Sequence, residues 1–317
     1  MLKIGIIGAG YFGSMHASAI ADTEGIHLSA VSRRNKNTLE QFKKKYGVKI
    51  YTDWHNLIKD PEIDTVVIAT PHYLHTEIAV QTVAAGKNIL LEKPIAPTME
   101  ECRIISRVVK NAAKNDRIKF MAGYINHFAK AYRAAREVIS AGEIGQIVAG
   151  SSVMYKLWMQ ENRRPWHLER KTGGGLCLTA GMHCLDRLTW LFNEKIESVS
   201  ARLGTAFHKQ QADDYELMFL RYSGGLTGTI TSIGYRTGVE RIETEIIGTK
   251  GIMKIDMVKG VSIGRNEHWV LVPDTGSNNA MHEALINEWE SFRDVIEKGG
   301  INSVPIDYAV HIMEGVF

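Results

Sequence analysis

The chain has 317 residues, 44% hydrophobic and 23% charged, which is ordinary globular usage and enough for two domains. A formal net charge of +3 is too small to indicate nucleic acid or a membrane surface as a partner, and the run Lys43-Lys44-Lys45 reads as a solvated helix face. No stretch approaches the roughly 18 apolar residues of a membrane span, and a strand already occupies the first residues, so no cleavable signal is expected.

The apolar run Lys3-Ile4-Gly5-Ile6-Ile7 ends in Gly8-Ala9-Gly10-Tyr11-Phe12-Gly13, and Met15, Ala17, Ala19 and Ile20 follow on a helical pattern. Strand, G-x-G-x-x-G turn and helix in that order predict a dinucleotide site. Gly8 permits the tight turn, Gly10 lets the backbone approach the pyrophosphate, and Gly13 lets helix and strand pack closely. A second strand at 26–31 leads into Ser32-Arg33-Arg34. An NAD enzyme carries Asp or Glu about 20 residues past the glycines, to hold the ribose 2′-hydroxyl. Here there is no acid, while a serine and two guanidinium groups suit a 2′-phosphate, so NADP is expected and NAD is less favoured.

A charged helix at 38–46, a short strand at 50–51 and a helix at 55–59 come next. Thr65-Val66-Val67-Ile68-Ala69 is a buried parallel strand by its continuous run, and it ends in Thr70-Pro71-His72-Tyr73-Leu74-His75. A helix at 76–85 stops at Gly86. Asn88-Ile89-Leu90-Leu91 is another buried strand, ending in Glu92-Lys93-Pro94. The alternation predicts a doubly wound parallel sheet, in which ligands bind beyond the carboxyl ends of the strands. The glycine turn, the Ser32-Arg33-Arg34 stretch, the Thr70 loop and Glu92-Lys93-Pro94 all fall at such ends. A helix at 98–115 carries Cys102, Ile105, Val108, Val109 and Ala112 on one face, and a strand at 119–123 closes the first domain. Cys102, Cys177 and Cys184 form no even framework and no metal-ligand spacing. They read as reduced thiols of a cytoplasmic protein, and no metal site is expected.

These motifs, with a later block at residues 173–186, resemble the glucose–fructose oxidoreductase/inositol dehydrogenase (Gfo/Idh/MocA) family across nearly the whole chain. Glu92-Lys93-Pro94 after a buried strand is the most specific of them. The resemblance implies an α/β protein. An N-terminal Rossmann domain (1–123) precedes a C-terminal α/β domain (124–317) for substrate binding and oligomerisation, with a large, mainly antiparallel open sheet. It also implies a homodimer or homotetramer formed through that sheet, and a cis Lys93–Pro94 bond. The cofactor set expected is Gly8, Ala9, Gly10, Tyr11, Phe12, Gly13, Ser32, Arg33, Arg34, Thr70, Pro71, His75, Glu92 and Lys93. Lys93, beside the nicotinamide, would hold a substrate hydroxyl and stabilise developing alkoxide, with Glu92 orienting it.

In the second domain, Tyr124 and His127 follow the last parallel strand, and family members commonly carry arginine at the position of His127. A helix at 130–141 and a half-buried strand at 146–156 lead to a polar, aromatic loop at 157–172 with Trp158, Trp166 and His167, where long loops are often functional. The family's Trp-Arg pair is Trp166-His167 here. Gly173-Gly174-Gly175 opens a helix at 176–192. On it Thr179, His183 and Asp186 stand at i, i+4 and i+7, one helical face. His183 can exchange a proton with a substrate hydroxyl near neutral pH. The family's acid four residues before the histidine is Thr179, which carries no charge. Strands at 199–207, 215–222, 226–233, 243–247, 252–256, 261–263 and 269–272 complete a meander. Asp213-Asp214 reads as a turn rather than a metal site. Tyr235, just past a strand, is a candidate substrate contact, and a helix at 279–297 packs through Ala280, Ala284, Leu285, Trp289, Phe292 and Ile296. The last segment starts at Pro305. Family members usually continue past Phe317, which suggests truncation.

The reading is an NAD(P)-dependent oxidoreductase moving hydride between nicotinamide C4 and a hydroxyl or carbonyl carbon of a sugar- or cyclitol-like substrate. Lys93 and His183 are its catalytic pair, and Tyr124, His127, Trp166, His167, Thr179, Asp186 and Tyr235 its substrate contacts. Its rivals are a non-catalytic NADP-binding sensor and a nicotinamide-assisted glycosidase.

Overall fold

The computed structural model describes residues 1–114, 117–159 and 163–317. Contact clustering divides the chain into two compact units: Met1–Tyr124 with Leu285–Val310, and Ile125–Ala284 with His311–Phe317.

The first unit is built on six parallel strands: β1 (Leu2–Ile7), β2 (Ile26–Ser32), β3 (Lys49–Tyr51), β4 (Thr65–Ile68), β5 (Asn88–Glu92) and β6 (Phe120–Gly123). Their order is β3-β2-β1-β4-β5-β6, with the direction of winding reversing between β1 and β4. Every residue of β4 is buried, as its unbroken apolar run requires of a strand covered on both faces. The helices are α1 (Tyr11–Asp22), α2 (Lys36–Tyr46), α3 (Trp54–Lys59), α4 (His75–Ala84) and α5 (Met99–Ala113). Local chemistry sets their ends: the Asn35 side chain accepts from the Thr38 N–H to start α2, and Gly47 in a left-handed conformation stops it. Thr98 caps α5 in the same way, through the Glu101 N–H. The last residue of the sequence-predicted helix, Asn115, lies outside the described residues.

The second unit begins with α6 (Lys130–Ser140), followed by β7 (Ile147–Leu157), α7 (Met182–Phe192), β8 (Ile196–Gly204), β9 (Tyr215–Tyr222), β10 (Thr227–Tyr235), β11 (Arg241–Gly248), β12 (Gly251–Asp256), β13 (Gly260–Arg265) and β14 (His268–Leu271). The eight strands lie in the order β14-β13-β12-β11-β7-β10-β9-β8. Only the β7–β10 pair among them is parallel. Gly150 and Gly228 bring the α7 side chain Leu188 against β7 and β10, so the even-numbered residues of both strands face that helix.

Two segments depart from the sequence reading. The predicted helix at 176–192 is instead a π turn, Cys177–Gly181, followed by α7. The Asp213 carboxylate takes the Cys177 N–H at 2.7 Å, and the Glu216 carboxylate packs where a Gly181 side chain would sit. Both hold the wider turn open. The strand predicted at 199–207 runs earlier, because the N–H groups of Ala206, Phe207 and His208 turn onto the Asp214 carboxylate. Asp213 and Asp214 are thus loop anchors.

The chain ends in α8 (Ala280–Lys298) and α9 (Ile306–Val316). The sequence division at residue 123/124 placed 285–310 with the second domain, whereas by packing these residues join the first unit. Trp289 buries its indole there and donates to His16 of α1 at 3.1 Å, and Asn302 donates to the Phe120 carbonyl of β6. Val295, rather than Ile296, completes the buried stripe of α8.

Candidate active site

The glycine turn between β1 and α1 is shaped by close approaches that only glycine tolerates. Gly8 has φ +103°, and a Cβ there would lie 2.4 Å from the Ala69 carbonyl oxygen. A Cβ on Gly13 would lie 2.0 Å from the Gly8 oxygen. Gly10 differs: a Cβ there meets no atom within 4 Å, and no side chain caps the N-terminus of α1 that follows it. The open space over Gly10, beside uncapped N–H groups, fits a dinucleotide pyrophosphate. Ser32 is buried at the end of β2, its carbonyl accepting the Gly8 N–H at 3.1 Å. The Arg33 guanidinium folds back to donate to the Ala9 carbonyl, and Arg34 is exposed. Tyr11 is exposed and Phe12 packs edge-on to His16, 5.4 Å between ring centroids.

At the next two strand ends, His75 is fully buried and ties two loops together. Its Nδ1 lies 2.9 Å from the Pro94 carbonyl and its Nε2 2.9 Å from the Thr70 carbonyl. Burial holds the imidazole below its ordinary range. A neutral imidazole has one N–H, so one of the two carbonyls accepts it, and the ring sits between the Thr70-Pro71 and Lys93-Pro94 segments. The Lys93–Pro94 peptide is cis and Lys93 is half-buried. Glu92 is not aimed at orienting Lys93. Its Oε1 accepts from His16 Nε2 at 2.8 Å, over Gly123. Trp289 donates to Nδ1 of the same ring, so the Nε2–H tautomer is fixed. Glu288, fully buried, completes this cluster, with its ligand atom within 4.8 Å of those of His16 and Glu92. Such a set resembles metal ligands, but Nε2 carries its proton toward Glu92 and has no lone pair to offer a cation. Burial, with the charge of Glu92 second, pushes the Glu288 carboxyl well above its usual range.

The substrate-side candidates separate into several places in the second unit, with one exception. Tyr124 belongs to the first unit, buried edge-on to Tyr308 at 6.1 Å. His127 and Asp186 form a fully buried pair, Nε2 to Oδ1 at 2.7 Å, with the His127 ring stacked on Trp190. Asp186 is therefore turned to His127. Half-buried His183 accepts from the Asn126 amide at Nδ1, 3.3 Å, which places its own proton on Nε2. Thr179 sits in the π turn, so the single helical face expected for Thr179, His183 and Asp186 does not form. Trp166 and His167 stack at 3.7 Å in a short 3₁₀ turn, and His167 is buried. Gly174 and Gly175 approach the His167 carbonyl and Asp213, so the glycine run serves close packing within the chain. Tyr235 ends β10 on the odd-numbered face, away from α7, among Tyr155 and Phe207. Residues 160–162 of the predicted aromatic loop lie outside the described residues.

Three residues escaped the sequence reading. His16 and Glu288 each interrupt an otherwise apolar stripe, on α1 and α8, and that break was the available signal. Asn126 gave none, since its partner is 57 residues away.

Two family models match: "Oxidoreductase family, NAD-binding Rossmann fold" over residues 2–124 and "GFO/IDH/MocA C-terminal domain" over 132–254. The chain belongs to the Gfo/Idh/MocA family. It is an oxidoreductase with an NAD-binding Rossmann fold. Among this family's members, scyllo-inositol 2-dehydrogenase (NAD(+)) of Bacillus subtilis (strain 168) is 26% identical, covering 99% of this chain and 92% of its own. Myo-inositol 2-dehydrogenase of Thermotoga maritima is 25% identical over 83% of this chain and 77% of its own. A levoglucosan dehydrogenase solved with NADH and levoglucosan shares the fold at a TM-score of 0.86 and 23% identity, covering 99% and 97% of the two chains. No helix among the described residues is long and apolar enough to cross a membrane.

Proposed function

We propose that the chain is an NADP-dependent dehydrogenase acting on a CH–OH group of a small sugar- or cyclitol-like substrate. The observation that carries this reading is the uncapped, open N-terminus of α1 at Gly10, on the sheet edge where β5 delivers Lys93. The inositol dehydrogenases among its relatives support the substrate class. A bound nicotinamide supplies the hydride acceptor. The Lys93 ammonium holds the substrate oxygen and favours its alkoxide, while His183, carrying its proton on Nε2, is assigned the proton exchange. The choice of NADP rests on the lack of an acid at the end of β2, with Ser32, Arg33 and Arg34 in its place. Self-association through the eight-stranded sheet is supported by its exposed Leu217, Phe219 and Ile247.

Lys93→Met with a polyol panel, read by NADPH absorbance and by separate NADP and NAD titrations, tests the reading. Turnover should fall about a hundred- to a thousandfold with cofactor binding kept, the range that one transition-state hydrogen-bond donor is worth. Unaltered turnover sinks the role of Lys93, and NAD binding as tightly as NADP sinks the cofactor choice. NADP binding with no oxidation across the panel would favour a sensor.

A further inference from the structure

The α7-facing side of the large sheet gathers three cations, Lys156, Arg163 and Arg187, and the charges of both guanidinium groups reach Lys156. Lys156 is an even-numbered residue near the end of β7, on the face that α7 covers. Arg187 stands on α7 one turn after His183, and i and i+4 share a helix face. Arg163 lies over the Trp158 ring, 4.3 Å from its centroid, and Arg187 over Tyr132 at 5.6 Å. Each ring offers its π-face to a cation but accepts none of the in-plane N–H donors. Arg187 is only 4% exposed, yet its Nε and Nη1 find no hydrogen-bond partner among the described residues, and neither does the Arg163 Nε. Oδ1 of Asp186, the residue before Arg187, is hydrogen-bonded to His127. Glu240, whose field reaches Lys156, is itself exposed.

Burial first, then the positive charges of Arg163 and Arg187, hold the Lys156 ammonium below its ordinary range, and burial alone brings Arg163 down to about 10. Lys156 thus faces two guanidinium groups where water is scarce. A guanidinium with buried, unanswered donors is costly, and such sites persist when a ligand supplies the acceptors. Guanidinium forks match carboxylate and phosphate oxygens in particular.

We propose that Lys156, Arg163 and Arg187 form a subsite for an oxyanion carried by the substrate, so that the preferred substrate is a polyhydroxylated acid or phosphate ester and not a neutral polyol. The proposal rests on the dehydrogenase reading for the word substrate, but anion binding itself does not depend on turnover.

The test uses matched probes, glucose, glucuronate and glucose 6-phosphate, with the NADP-loaded protein. Binding is read by calorimetry and by the fluorescence of tryptophan, and oxidation separately by NADPH absorbance. One charged probe should bind at least tenfold more tightly than glucose, and the preference should weaken with added salt. Lys156→Met, at a half-buried strand end, should remove most of it, as should Arg187→Met if that variant folds. Preference for glucuronate assigns a carboxylate, and for glucose 6-phosphate a phosphate; either supports the proposal. Equal binding of all three probes, or a preference untouched in Lys156→Met, overturns it. Anion preference without any oxidation would leave the subsite standing and count against the dehydrogenase reading. Oxidation of neutral polyols with no anion preference would do the reverse.

Discussion

Glu288→Gln isolates the energetic cost of the acid buried beside His16 and Glu92. Neither Glu288 carboxylate oxygen has a hydrogen-bond partner among the described residues, and the charge of Glu92 is close by. The folded protein therefore keeps Glu288 protonated at pH values where the unfolded chain, at the ordinary 4.5, has released the proton. For an acid whose folded pKa is raised, the folded state binds more protons, so stability falls as pH rises above the unfolded value. The slope is limited to about 1.4 kcal/mol per pH unit. From pH 5.5 to 8.5 the wild type should lose up to about 4 kcal/mol through this one group if its folded pKa lies above that range, and proportionately less otherwise. Glutamine keeps the shape and cannot ionise, so whatever its amide costs is independent of pH. The assay is thermal unfolding of both proteins across that range at fixed ionic strength. The Tm of Glu288→Gln minus that of the wild type should climb with pH, by several degrees at about 2 °C per kcal/mol for a chain of this size. An offset that stays constant, or that falls with pH, refutes the protonated Glu288.

Two further outcomes follow from the same structure. Gly10→Ala places its methyl in open space, so Tm should change by under about 1 °C while NADPH affinity falls at least tenfold; Gly13→Ala drives Cβ onto the Gly8 carbonyl and should cost about 1–3 kcal/mol of stability as well. Fluorescence titration and thermal unfolding of the pair check both, and an equal loss of stability in the two variants would contradict the geometry. His127→Ala removes a hydrogen-bond partner of a fully buried carboxylate and should destabilise by about 3 kcal/mol in urea unfolding, whereas an exposed pair would lose under about 1.

The parallel sheet was legible because burial on both faces writes itself as continuous β-branched runs, as in β4 and β5, and because glycine and proline punctuate their ends. The antiparallel sheet was legible from alternation, with strand ends displaced where a remote side chain captures backbone, as Asp214 does with residues 206–208. The π turn was not legible. Its cause is a pair of carboxylates, Asp213 and Glu216, that reach it from another part of the chain, and local periodicity alone continues an α-helix straight through.

The candidate site divides along the same physical line. Dinucleotide binding uses backbone: a turn, a close approach and an uncapped helix end are properties of five or six consecutive residues, so the glycine motif specifies them locally. The substrate side uses side chains delivered by distant elements, and there sequence spacing misassigned partners. Asp186 stands at i+3 from His183, but its Oδ1 is hydrogen-bonded to buried His127, as a buried imidazole requires of some acceptor. The Asn126 amide donates to Nδ1 of His183. An amide N–H donated to Nδ1 fixes the tautomer with the ring proton on Nε2. Arg187 stands one turn after His183 on α7, so the imidazole and that guanidinium share a helix face. On the proposed reading the cations hold the charge of an anionic alcohol throughout its oxidation, while the hydroxyl proton passes to His183 and the hydride to the nicotinamide.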